Sequence, residues 1–168
     1  MAPSLNFRQA AYAQESGRAI IPLITVTHPD LTDPIRISTN PTQRLSTTLD
    51  DIVYGTVSRG ENYIYLPVRI KPPDDTDAGP GNMRIEIDNI HRQFTETIRS
   101  ISSPMLFNVD LILDDDLDTV ERQWPEFLLT NVLYDPLLIT GTLSLETLQR
   151  EPFCSGTFSP SWFPGLFR

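Results

Sequence analysis

The chain has 168 residues, with 13 Lys and Arg against 22 Asp and Glu, and a formal net charge of −9. At 39% hydrophobic it can fill a core, so wholesale disorder is excluded; a domain of this size buries roughly 70% of the surface of its unfolded chain. Its longest apolar stretches, such as Ala19 to Ile24, fall far short of the roughly 20 residues that cross a bilayer and lack signal-peptide flanks, so neither membrane insertion nor export is expected.

Residues 4–18 (SLNFRQAAYAQESGR) hold good helix formers, with Gly17 as a stop, but only a thin apolar face. They predict an N-terminal helical arm over 1–18. From residue 19 to 149 the texture changes to short β-type runs separated by Pro, Asp and Asn. Ile21–Thr27 is β-branched and closed by the turn signal His28-Pro29-Asp30; Ile35–Thr39 alternates; Thr47–Val57 is a weaker run. Asn62–Lys71 is a clear strand in which Pro67 suggests an edge or a bulge. Residues 72–82 (PPDDTDAGPGN) are a loop by composition. Met83–Asp88 alternates strictly, as a half-buried strand does.

A helix is predicted over 89–101, where Ile90, Phe94, Ile98 and Ile101 recur every three or four residues and Ser102-Ser103-Pro104 ends it. Leu106–Leu113, Glu126–Tyr134 and Leu137–Leu145 read as further strands, the last two close enough to form a tight antiparallel hairpin across Asp135 and Pro136. The sum is a mainly β chain with one packed α-helix (α+β): a β-barrel or sandwich of about six to eight strands. The tail, 150–168, matches neither period, yet holds Phe153, Phe158, Trp162, Phe163 and Phe167, half of all the Phe and Trp in the chain. Five exposed rings would drive aggregation, so this extended tail must pack on its own barrel or on a neighbouring subunit.

The chemistry-bearing residues point away from catalysis. Residues 1–100 carry ten basic and twelve acidic side chains, and residues 101–168 three and ten. That sign repels phosphate backbones, so nucleic-acid binding is not expected, and with Lys71 the sole lysine there is no polybasic membrane patch. Cys154 is the sole cysteine, which excludes an intrachain disulfide and cysteine-rich zinc or iron-sulfur sites. Asp75, Asp77, Gly79 and Glu86 match a calcium loop only in part, with Pro80 where the turn needs glycine. Asp114, Asp115, Asp116 and Asp118 fail the same test at Thr119 and Pro125 and read as a solvated acidic turn. His28 and His91 lack a second ligand at metal spacing and take surface positions by default. No GxSxG elbow or phosphate loop is present, and neither a metal nor a cofactor is expected. A hydrolase using Asp74, Asp75 or Asp116 has no supporting spacing. A carbohydrate-binding module would use Trp162, Tyr63, Tyr65 and Tyr134 as stacking platforms, although such aromatics more often belong to cores and interfaces.

The succession ITVTHPDLTDPIRISTN, YIYLPVRIKPPDD, GNMRIEIDNIHRQFTETIRSISSP, VLYDPLLITGTLSLE and EPFCSGTFSPSWFPGLFR resembles a family of minor tail proteins of long, noncontractile-tailed bacteriophages, first catalogued as a domain of unknown function. The resemblance spans about 19–168 and leaves the arm at Leu5 to Arg18 as an extension. It implies a non-enzymatic, distal-tail-like component of the virion tail tip, assembled in the host cytoplasm. Its barrels would close into a ring of six copies that joins the tail tube protein to the hub. The aromatic tail would then supply contacts between subunits, and the acidic turn would face the lumen or a neighbouring ring. The alternative function is a carbohydrate-binding module that contacts the host surface.

Overall fold

The computed structural model describes residues 3–47, 52–72, 81–88, 101, 103–135, 138–145, 161 and 164–166. In chain order the elements are α1 (Leu5–Tyr12), β1 (Ile20–Thr27), β2 (Ile35–Ser38), β3 (Gln43–Thr47), β4 (Ile52–Ser58), β5 (Glu61–Tyr65), β6 (Val68–Lys71), β7 (Met83–Asp88), β8 (Leu106–Leu113), β9 (Arg122–Tyr134) and β10 (Leu138–Leu145). The strands form one sheet in the order β3-β4-β5-β2-β1-β8-β9-β10-β7-β6. Neighbours are antiparallel except the parallel pair β2–β5. The chain is therefore mainly β, with a short helix at its N-terminal end.

The ends of this sheet are joined by the chain itself. β5 and β6 are two halves of one extended run, divided at Leu66 and Pro67. The Leu66 N–H donates to the Ser38 carbonyl at 3.0 Å, prolonging the β2–β5 ladder, while the Pro67 carbonyl accepts from the Asp88 N–H at 3.1 Å and opens the β6–β7 ladder. Pro67 thus sits neither on an edge nor in a bulge but at a hand-over between partners, where its missing N–H interrupts no continuous ladder. One run borders both β2 and β7, so the wall β2-β1-β8-β9-β10-β7-β6 curls into a barrel.

Side-chain alternation decides what that barrel encloses. Ile24 and Val26 of β1, Ile37 of β2, Val68, Met83, Ile85, Ile87, Phe107, Val109, Phe127, Ile139 and Leu143 form one buried cluster drawn from seven strands. Each such side chain contributes about 1.5–3 kcal/mol of burial. A second, smaller cluster of Ile21, Leu23, Tyr63 and Ile112 lies on the opposite face. In the β1–β8 register Ile24 faces Val109 and Val26 faces Phe107, whereas Ile21 faces Ile112 and Leu23 faces Asp110. The adjacent apolar pair Leu23-Ile24 marks the point where β1 passes from serving one core to serving the other.

Ten strand segments arise because Glu61–Lys71 is divided and because Gln43–Thr47, too polar to show alternation, pairs with β4. The weak run at 47–57 resolves into β4, which joins β5 through Arg59 (φ 53) and Gly60 (φ 78), two successive positive φ values in a two-residue hairpin turn. β9 begins at Arg122, four residues before the expected start, and carries positive-φ residues Glu126 (φ 58) and Asn131 (φ 52) where its pairing slips against β8 and β10. Those irregularities hid its first half from a period-two reading. The hairpin of β9 and β10 forms as expected, with the Asp135 N–H donating to the Leu138 carbonyl at 2.8 Å. α1 stops at Tyr12, well before Gly17, since it has no buried residue to hold a longer helix in place. The helix expected over 89–101 lies outside the described residues except for Ile101, which is half-buried against the main core.

Candidate functional site

A group of polar side chains with tertiary partners gathers at one end of the barrel, where α1, the β4–β5 turn and the β8–β9 connection meet. The construction starts at β8. Its doubled pattern buries Asp110, 6% exposed, on the face of the smaller core. A carboxylate there needs a counter-charge, and Arg59 supplies it from the hairpin turn, with Nη2 at 2.7 Å from Asp110 Oδ2. The same Nη2 donates to the Tyr63 hydroxyl at 3.3 Å. Burial opposes the charge on the Arg59 guanidinium, but Asp110 and Tyr63 outweigh it and raise its pKa. The Asp110 Oδ1 atom is buried with no partner among the described residues.

Arg59 is also held by its backbone. Its N–H donates to Asp118 Oδ1 at 2.5 Å, which fixes a non-glycine residue at positive φ and locks the hairpin turn to the β8–β9 connection. That connection begins with the acidic turn. The Asp114 N–H donates to the Ala19 carbonyl at 3.0 Å and the Asp116 N–H to the Leu113 carbonyl at 3.3 Å. Asp115 pairs with Arg18 at 3.0 Å, both side chains being more than a third exposed, so this contact is screened and worth little.

Further along, Glu121 is 6% exposed although it is charged. Its two oxygens accept from Ser4: Oε2 from the backbone N–H at 2.7 Å and Oε1 from the hydroxyl at 2.6 Å. The Ser4 oxygen in turn accepts from the Phe7 N–H at 3.1 Å and caps α1. One buried carboxylate therefore anchors the arm to the barrel, 117 residues away in sequence.

Asp114, Asp115, Asp116 and Asp118 are brought together in an exposed turn, as read from the sequence, but two of them are engaged with Arg18 and Arg59. Phe153, Phe158, Trp162, Phe163, Phe167 and Cys154 lie outside the described residues, as do His91, Asp74, Asp75 and Asp77. Tyr63 is not a stacking platform: it is 4% exposed in the smaller core. Tyr65 is half-buried, and the side chains of Tyr134 and Trp162 are outside the described set. His28 does not take the surface position expected of it. Its side chain is 2% exposed, Nδ1 accepts the Asp30 N–H at 3.0 Å and Nε2 lies 2.6 Å from Ser103 Oγ. The turn after β1 folds inward there because the imidazole satisfies both it and the chain entering β8. Glu86 is paired with Arg84 on β7 at 3.2 Å, and the remaining residues of the candidate calcium loop, Asp75, Asp77 and Gly79, lie outside the described residues. Among the described residues no group of three or more His, Cys, Asp or Glu could hold a metal ion, and no helix is long and apolar enough to cross a membrane.

Chemically the site is a junction: three sequence-distant segments clamped by Arg59, Asp110, Asp118, Ser4 and Glu121. Residues 6–158 match the family described as Domain of unknown function (DUF1833). The chain belongs to the DUF1833 family. No curated protein matches it. The DUF1833 match takes in nearly all of α1 and every residue of the junction except Ser4. Sequence reasoning missed Arg59, Asp110, Ser4 and Glu121. Ser4 ahead of a helical run was a readable capping signal, and Arg59-Gly60 between two β-type runs a readable turn. Glu121 carried no local sign at all.

Proposed function

We propose that this DUF1833 chain is a non-catalytic structural subunit of a bacteriophage tail tip, whose barrels close into a ring joining the tail tube to the hub. The reading rests on the sequence resemblance to minor tail proteins, and one structural observation supports it. The barrel interior is filled by its own side chains, while the elements standing outside its wall, α1 and the β3–β4 hairpin, hold apolar residues in solvent: Leu5 65%, Tyr12 87%, Ile52 48% and Tyr54 44% exposed. β3 is paired on one side only, by β4. Projecting arms with uncovered apolar residues suit a subunit that completes its surface against neighbours. Electron microscopy of virions carrying a labelled copy of the chain tests this: label at the tail tip is expected, and virions without label overturn it.

A further inference from the structure

We infer that α1 is a releasable strap: its helix persists only while Ser4 is latched to Glu121 of the same chain, and it opens as one unit up to Ala19. The inference concerns the single chain and does not depend on the ring reading. Three observations carry it.

The first is how little of the helix the barrel covers. α1 has eight residues and none is buried; Phe7 and Ala10 are half-buried, while Leu5 and Tyr12 are 65% and 87% exposed. A helix this short does not persist in water on propensity alone. Its order has to come from its N-terminal end.

The second is that the latch couples docking to helix formation. Glu121 Oε2 accepts from the Ser4 N–H at 2.7 Å and Oε1 from the Ser4 hydroxyl at 2.6 Å. The same hydroxyl oxygen accepts the Phe7 N–H at 3.1 Å, so the rotamer that closes the latch is also the one that caps α1. Among the described residues no Lys, Arg or His pairs with Glu121, and a buried carboxylate is tolerated only when it is hydrogen-bonded. Its backbone is held separately, the Glu121 N–H donating to the Leu111 carbonyl at 2.8 Å, so the catch stays on β8 when the strap leaves.

The third is a defined limit. Residues 13–18 are all exposed. The Ala19 carbonyl then accepts the Asp114 N–H at 3.0 Å, just before β1 begins at Ile20. The segment between Ser4 and Ala19 thus has a latch at one end, a backbone tie at the other and a solvent-exposed stretch leading to that tie. That is the layout of an order-to-disorder element, in which the helix melts as it undocks while the barrel stays closed.

Hydrogen exchange read by mass spectrometry on the full chain tests this, with Ser4→Asp and Glu121→Ala as variants. Aspartate is a good helix cap but sets a second carboxylate against Glu121, and Glu121→Ala keeps the Ser4 cap; both variants open the latch without removing the cap. In the parent chain the α1 amides are expected to exchange more slowly than those of residues 14–17, yet at least 100-fold faster than those of β1 and β8. Each variant is expected to speed α1 exchange at least fivefold and to leave β1, β8 and β9 unchanged. Ser4 lies outside the barrel, so Ser4→Asp gives the answer even where Glu121→Ala does not fold. Exchange in α1 as slow as in β8, exchange unchanged or slowed by Ser4→Asp, or acceleration that spreads into β8 and β9 overturns the strap.

Discussion

At the residue scale the junction depends on Arg59, which combines a positive φ, a backbone bond to Asp118 and an ion pair with a buried aspartate. Removing its side chain leaves Asp110 without a counter-charge in a site where its other oxygen already lacks a described partner. Hydrogen bonds to charged groups contribute about 1.5–3 kcal/mol, and the 40% exposure of the Arg59 side chain reduces that by screening. Arg59→Ala is thus expected to destabilise the fold by about 1–2 kcal/mol in urea unfolding, and Arg59→Lys by less; an unchanged midpoint for Arg59→Ala would show that the pair is decorative. The raised pKa of Arg59 sets the sign of its pH dependence. A group whose folded pKa lies above the unfolded one stabilises fully below the unfolded value and loses that contribution only as pH rises through the folded one. For an arginine this window lies in strong alkali, so between about pH 6 and pH 9 Arg59→Ala should lower stability by the same amount throughout.

At the element scale, the strands that read cleanly are those whose alternation is uninterrupted. Met83–Asp88 and Leu106–Leu113 keep the bounds read from the sequence, because half-burial on a pleated surface imposes period two directly. β3 and the first half of β9 did not read, since a polar edge strand and a strand broken by positive-φ residues lack that period. The β4–β5 pairing has a further constraint at Gly55, where a Cβ would come within 2.0 Å of the Tyr63 carbonyl oxygen and 2.6 Å of Leu45 Cδ1. The backbone atom cannot yield without shifting the strand. Gly55→Ala should accordingly cost more than about 2 kcal/mol and weaken protection of the β4–β5 amides in hydrogen exchange. Gly141→Ala meets only the end of Leu129, at 2.6 Å, which a rotamer change can relieve, and is expected to cost less than Gly55→Ala in the same denaturation series.

At the scale of the whole molecule, two cores share one sheet, and they should differ in weight. Phe107, fully buried among residues from seven strands, belongs to the larger cluster; Ile112, equally buried, belongs to the smaller one. Phe107→Ala is expected to cost about 3–5 kcal/mol and Ile112→Ala about 2–4, read as shifts in thermal midpoint. A larger shift for Ile112→Ala than for Phe107→Ala would mean that the smaller cluster carries the fold. The net charge of −9 acts on association instead. Copies of an acidic chain repel one another at low salt, so raising NaCl from about 50 mM to about 500 mM should increase the assembled fraction in light scattering. Dissociation over that range would instead indicate interfaces dominated by charge pairing.

The amino-acid sequence alone was sufficient for the fold class, most strands, the β9–β10 hairpin and the acidic turn, because alternation, proline placement and charge density are local and are written residue by residue. Pairing across sequence distance was decided by tertiary structure. The hand-over at Leu66-Pro67 that closes the barrel, the inward turn of His28 and the joining of Ser4 to Glu121 each depend on a partner that no nearby residue announces. A buried charge finds its counterpart only once the strands are in register, so the composition that marked the chain as acidic could not show that Asp110 and Glu121 spend their charges inside it, holding a turn and an arm in place.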